Sequence, residues 1–353
     1  MNAIIWPDKV YSREEMADKK IKDKALAVLK QSSVAMSLQD ISYALHEVVP
    51  ERTLRRWLAS WVKAERVIRL GNGRSTRYSY KTVDTKSFKF LSGLDKDLKI
   101  SLLRQLRDLW TYTSTAIEGN TLTLGDTHFL LEEGLTVSGK PLKDHQEVIG
   151  HARAIDLFYQ SLGYPLNEAI IFDLHKAVQV EEVADIYKPN GAWKVEPNGV
   201  YTVNSSGNRV YIEYALPQTV PILMDEFISE VNALDNTAIT LENAHKIYAK
   251  VHMGFVHIHP FWDGNGRLAR LIANIPLLKA GLPPLIIPFE KRRKYIEVLA
   301  DYQITIGQLD KQSGVWPNAS KLTSFEMFCQ SAYENTKQLI NEVQSLQEKR
   351  ESE

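Results

Sequence analysis

The chain has 353 residues, 44% of them hydrophobic, with 43 basic residues balanced by 43 acidic ones. That length supports two or three domains with a sizeable core, and the neutral balance leaves no global field to draw the chain to nucleic acid or a membrane surface. A single cysteine, Cys329, excludes an internal disulfide framework; with no signal-peptide run over Met1–Asp8 and no apolar stretch long enough to span a bilayer, a soluble cytoplasmic protein is expected.

Residues 20 to 80 read as a compact unit. An apolar-periodic helix covers Ala25–Leu29, Ser37 caps a second helix reaching Leu45, and Pro50 opens a third over Glu51–Leu58. Val67–Leu70, Gly71-Asn72-Gly73 and Thr76–Tyr80 read as strand, turn and strand. Three helices and a hairpin resemble a winged helix-turn-helix, assigned here to residues 1–82. From Glu51 to Tyr80 eight basic residues stand against two acidic ones, a local excess suited to phosphate backbones. Arg52, Arg55 and Arg56 are its candidate DNA-binding residues, although such modules also dock proteins. Trp57 and Trp61, at i and i+4, are expected in the core.

Residues 83–98 read as a linker, and the remainder, 99–353, as mostly helical. Leu98–Thr113 is amphipathic and leads into Ser114-Thr115-Ala116-Ile117-Glu118-Gly119-Asn120, where Glu118 can end a helix before a Gly-Asn cap. Helices are expected over Lys143–Leu162, Leu166–Val178, Ile222–Leu234 and Leu241–His257, the first two separated at Gly163-Tyr164-Pro165. Between them, Gly191–Val195 through Tyr211–Tyr214 reads as a β-hairpin turning near Asn204–Asn208. Tyr333–Arg350 reads as a polar, solvated or partner-packing helix.

The densest chemistry lies at His259-Pro260-Phe261-Trp262-Asp263-Gly264-Asn265-Gly266-Arg267-Leu268-Ala269-Arg270. Gly264 and Gly266 allow unusual dihedrals and close backbone approach. The loop then delivers a ligand to a helix N-terminus, where free N–H groups and the macrodipole favour anions. Arg267 and Arg270, at i and i+3, can grip successive phosphates. Asp263 is a hard ligand suited to Mg²⁺, and His259 can accept a proton near neutrality. Phe261, apolar in a polar loop, should anchor it to the core.

This string resembles the Fic family signature, His-Pro-Phe-x-[Asp/Glu]-Gly-Asn-Gly-Arg-x-x-Arg, at every defining position. Ser114 and Glu118 likewise fit the family's inhibitory motif, [Ser/Thr]-x-x-x-Glu-[Gly/Asn], placed N-terminal to the signature. The resemblance implies a mainly α Fic-type helical domain with a β-hairpin flap that docks a target protein by strand addition. It implies transfer of AMP from ATP to a Tyr, Thr or Ser hydroxyl of a protein, with Mg²⁺ held by Asp263. His259 would be the base, and Asn265 with the N–H groups of Gly264 and Gly266 would stabilise the α-phosphate. Arg267 would take the β-phosphate region and Arg270 the γ-phosphate, which Glu118 opposes. Self-labelling and dimer-linked regulation occur among relatives, so the chain itself and a homodimer are further partners. The match argues against His252, His257 and His259 as a metal set. Where the family often has Pro-Pro after the flap, Tyr214-Ala215-Leu216-Pro217 stands here. Two alternatives stay open: removal of AMP from a target through water positioned by Glu118, and a nucleotide-sensing transcriptional regulator that binds DNA.

Overall fold

The computed structural model describes residues 21–29, 32, 36–45, 49–63, 67–70, 76–80, 88–179, 185–203 and 207–352. The chain divides into two compact units, Met1–Val83 and Asp84–Glu353.

The first unit contains helical residues 21–29 (α1), α2 (Leu38–Leu45) and α3 (Glu51–Lys63), followed by strands β1 (Val67–Leu70) and β2 (Arg77–Tyr80). Ser37 and Asp40 exchange backbone and side-chain hydrogen bonds at the start of α2, a reciprocal cap that satisfies two otherwise free N–H groups. β1 and β2 pair antiparallel with Val67 opposite Tyr80, and the connecting turn lies outside the described residues. Leu54, Trp57, Leu58 and Trp61 bury one stripe of α3 against Ala25, Leu29, Ile41 and Leu45. Both tryptophans therefore serve the unit's core, while Arg52, Arg55 and Arg56 lie on the exposed side of α3.

In the second unit the segment expected as linker is packed from Phe88 onward. Phe88, Phe90, Leu91 and Leu94 are buried, and the Lys89 N–H donates to the Gly281 carbonyl. The helices are α4 (Lys96–Ile117), α5 (Leu124–Glu133), α6 (Leu142–Ser161), α7 (Glu168–Val178), α8 (Val220–Ala233), α9 (Ala244–Ile258), α10 (Asn265–Ile272), α11 (Ile275–Lys279), α12 (Arg292–Ile306) and α13 (Thr323–Ser352). α9 is the central helix: twelve of its fifteen residues are buried, as expected of a helix enclosed on all sides. Gly254 lets the Trp316 indole lie against its backbone, where a Cβ would collide with the ring.

Two expectations are corrected here. The hairpin is β3 (Gly199–Val203) against β4 (Arg209–Glu213), with Tyr201 opposite Tyr211, so Gly191–Val195 is not strand. Trp193 instead packs on Phe172 and Phe261, an aromatic cluster that mimics strand composition. The C-terminal helix starts at Thr323 and is no solvated tail, because Phe325, Phe328, Cys329, Ala332, Tyr333, Ile340 and Val343 are buried along one side. α4 also continues through Ser114 to Ile117, with Glu118 as its C-cap.

After α10 the chain is held by Asn274, fully buried. Its amide donates to the carbonyls of Arg270 and Leu285 and accepts from the Leu285 N–H. Asn274→Ala would strand the Leu285 peptide groups without partners, so it should destabilise the chain by about 2–4 kcal/mol. Urea unfolding measures this, and a loss under about 1 kcal/mol would show that the peptide groups find other partners.

Candidate functional site

α9 ends at His259, whose backbone takes the left-handed conformation with φ 54° and ψ 58°. Among the described residues it is the one non-glycine residue with positive φ. Strain of this kind persists where surrounding contacts fix it. The His259 Nδ1–H donates to the Val256 carbonyl at 3.2 Å, which leaves Nε2 with its lone pair. Burial, reinforced by the charge of Lys194, lowers the imidazole pKa to about 3, so the ring is a neutral base at physiological pH.

The loop folds back on Phe261, which is fully buried. Asn265 Oδ1 accepts the Phe261 N–H and its Nδ2 donates to the Phe261 carbonyl, both at 2.9 Å. The Asn265 side-chain amide thus closes the loop on Phe261. The loop also offers an anion backbone donors. The first bond of α10 runs from the Leu268 N–H to the Gly264 carbonyl, so the N–H groups of Asn265, Gly266 and Arg267 precede the ladder at the helix end. Gly264 supplies the αL turn with φ 81°. Gly266 is helical and serves differently, since a Cβ there would run into the Glu118 carboxylate.

α7 supplies the loop's other support. His175 stacks on Phe261 with ring centroids 3.8 Å apart, accepts the Gly191 N–H at Nδ1, and donates from Nε2 to the Asp263 carbonyl. Lys194, also buried, donates its N–H to the Pro260 carbonyl and its Nζ to Asn198 Oδ1. Asn198 Nδ2 then donates to the Phe261 carbonyl at 3.1 Å. His175, Lys194 and Asn198 were missed by sequence reasoning. For His175 and Lys194 an ionisable group beside apolar residues was the available signal.

The two arginines part company. Arg267 donates to the Val178 carbonyl and to Gln179 Oε1, with Asp263 Oδ2 at 3.4 Å, so it ties the end of α7 to α10 while lining the cavity. Arg270 is buried, its side chain 3% exposed. It donates Nε–H to Ser114 Oγ, Nη2–H to the Ser114 carbonyl and to Glu118 Oε1 at 2.7 Å, and Nη1–H to the Tyr295 hydroxyl. Tyr295 passes the chain on to His252 Nε2. Glu118 caps α4 and is held from behind. Asn120 donates to the Asp144 carbonyl and to Glu147, and Thr121 donates N–H and hydroxyl to Asp144 Oδ2. Arg292 donates to the Ile117 carbonyl.

Of these residues, Glu118, Asn198, His259, Asp263–Arg267, Arg270, Arg292 and Tyr295 border one cavity of about 610 Å³, with the hairpin residues Val200, Tyr201 and Tyr211 on its wall. The volume is that of an ordinary small-molecule site. Asp263 offers one exposed carboxylate, and among the described residues no cluster of three or more metal-binding side chains occurs. A single carboxylate fits Mg²⁺ that draws its other ligands from phosphates and water. His257 donates instead to the Gly307 carbonyl. Among the described residues no helix is long and apolar enough to cross a membrane.

This arrangement of helices around a central one, with the signature loop at its end, is the Fic fold. Residues 165–277 match the Fic/DOC family. The chain is 32% identical over 197 residues to protein adenylyltransferase fic-1 of Caenorhabditis elegans, covering 55% of this chain and 36% of that protein. It is 34% identical over 193 residues to protein adenylyltransferase Fic of Drosophila willistoni, covering 53% and 35%. The chain thus spans about a third of the length of the curated relatives it matches. A Fic domain containing signaling protein from Bacteroides thetaiotaomicron superposes with a TM-score of 0.63 at 27% identity, over 74% of this chain and 95% of that one. Fic-1 of C. elegans, residues 134–508, superposes with a TM-score of 0.53 at 22% identity, over 94% and 84%.

The buried imidazoles make acid stability a test of this packing. Burial lowers His175 and His257 to about 4, and drives His151 and His252 well below the usual 6.5, with Arg270 adding to the effect at both. The unfolded chain therefore binds more protons than the folded one below pH 6.5. Stability should be complete above that value and fall as pH drops toward 4, with a slope near 1.4 kcal/mol per pH unit for each imidazole. Urea midpoints measured from pH 7.5 to about 5 check this; a flat profile would contradict it.

Proposed function

We propose that the chain is a protein adenylyltransferase that moves AMP from ATP to a hydroxyl side chain of a target protein, and that Glu118 holds it in an inhibited state. The observation that carries this reading is convergence on one cavity of a neutral base, a helix N-terminus and a buried arginine paired with a carboxylate. The names of the relatives supply the class of reaction. The apolar wall at Val256, Ile296, Leu299 and Ala300, with the buried amide of Gln303, suits a purine. The N–H groups of Asn265, Gly266 and Arg267 would receive the phosphates.

In the reaction the acceptor oxygen bonds to the α-phosphorus, the bond to the bridging oxygen breaks, and pyrophosphate leaves. The hydroxyl proton passes to His259 Nε2, an assistance worth roughly 10²–10⁴ in rate. The backbone donors offset the charge that develops on the α-phosphate oxygens. Mg²⁺, where bound, would neutralise the phosphates, with Asp263 as its protein ligand. Arg267 contributes charge beside the β-phosphate while fixing the loop. Arg270 would take the γ-phosphate, for which its Nη2 must exchange Glu118 for phosphate oxygen. Target docking falls to β3–β4, whose exposed Val200, Tyr201 and Tyr211 border the cavity.

ATP tagged on the α-phosphate should label protein strongly with Glu118→Gly, weakly with the wild type, and not at all when His259→Ala is added. Equal labelling by wild type and Glu118→Gly would refute the inhibition. Release of AMP from a modified protein by the wild type alone would instead favour a hydrolase using Glu118.

A second reading concerns the first unit, which we infer to be a winged helix spanning residues 1–82. Its support is the exposure of Arg52, Arg55 and Arg56 opposite the buried stripe of α3, although Arg55 is paired with Glu51 at 2.6 Å. Gel retardation of duplex DNA at micromolar protein should weaken steeply with salt and with Arg52→Ala plus Arg56→Ala. No retardation would leave protein docking as the unit's role.

A further inference from the structure

Where the sequence departs from the family's Pro-Pro, the structure places an aromatic ring on the general base. Tyr214 lies directly after β4, and its ring covers one face of the His259 imidazole with centroids 3.7 Å apart and planes within 1°. Tyr214 is itself fixed. Its N–H donates to the Asn198 carbonyl, its carbonyl accepts from Gln308 Nε2, and its side chain, 6% exposed, packs with Ile212, Ala300 and Ile304.

We propose that Tyr214 is a positioning residue for the reaction assigned above: its ring fixes the plane of His259, so that Nε2 faces the acceptor hydroxyl, and steadies the imidazolium formed when the proton arrives. The inference rests on that assignment. His259 has one hydrogen bond from its ring, to Val256, and a single bond leaves rotation about its axis unrestrained. A coplanar wall removes that freedom, and a near-attack geometry depends on it. The second effect is electrostatic. Lys194 Nζ lies 5.9 Å from the Tyr214 ring centroid, and its charge opposes a proton on His259. The electron-rich face of tyrosine attracts the imidazolium and works against that opposition. Packing alone would give Tyr214 no bearing on the maximal rate once the fold is intact.

The test uses the full chain in the Glu118→Gly background, following label from α-phosphate-tagged ATP into lysate protein. Tyr214→Leu should lower the maximal rate about tenfold while the ATP concentration for half-maximal rate moves less than about twofold. Tyr214→Phe, which keeps the ring, should restore the rate to within about twofold of its parent. A Tyr214→Leu enzyme of undiminished rate overturns the proposal. So does one altered only in its ATP requirement, which makes Tyr214 a wall of the nucleotide site, or failure of phenylalanine to rescue, which assigns the effect to the hydroxyl. A second measurement does not depend on catalysis. The Cε1–H proton of His259, identified by its loss in His259→Ala, should resonate upfield in wild type and Tyr214→Phe and move downfield in Tyr214→Leu. An unchanged resonance removes the stack. If Glu118→Gly labels nothing while the resonance behaves as stated, the adenylyltransferase reading fails and the positioning of His259 stands.

Discussion

A guanidinium buried beside the cavity must have an anion, and the Arg270 site is arranged around that requirement. Arg270 is nearly solvent-free, and removing its counter-charge would leave an uncompensated cation in the interior. Neutral acceptors, Ser114 and Tyr295, take three of its N–H bonds, and they orient the fork without cancelling its charge. Glu118 supplies the negative charge from the open side, and being half-exposed it is the partner that can leave. A terminal phosphate is likewise an anion that can accept guanidinium N–H bonds, so under the proposed reading it would compete with the carboxylate for this position.

The remaining geometry follows from bringing backbone to that same place. His259 accepts a strained conformation at the end of α9 so that the chain can reverse into the loop. Asn265 closes the loop on Phe261, and His175 holds the Asp263 carbonyl from below. The result is a helix end whose first N–H groups face the cavity one turn from Arg270. Gly266 allows Glu118 to approach this helix, so the proposed inhibition and the proposed phosphate binding draw on the same residue run.

Much of the site was legible because its residues are contiguous. The run from His259 to Arg270 carries the candidate base, loop and helix start in one string, and Ser114 with Glu118 stands on one helix face. The loop-closing role of the Asn265 side chain was not legible, because polarity alone does not say which way a side chain turns; its partners are the peptide groups of Phe261, four residues earlier. Lys194, Asn198, Tyr214 and Tyr295 reach the site from separate elements, and no local pattern marks them. α13 was taken for a polar tail because its outward residues dominate the composition, although Phe325, Cys329, Ala332, Thr336, Ile340 and Val343 recur at helical spacing. The strand expected at Gly191–Val195 failed for a related reason: Trp193 is aromatic because it packs on Phe261, with its indole N–H donated to Glu168.

The central claim is that Glu118 occupies the place of a terminal phosphate on Arg270, and nucleotide binding by calorimetry tests it most directly. ATP and AMP titrated into wild type and Glu118→Gly should separate: the substitution should tighten ATP by about tenfold or more and leave AMP, which has no γ-phosphate, nearly unchanged. Equal gains for both nucleotides, or none for ATP, would contradict the account.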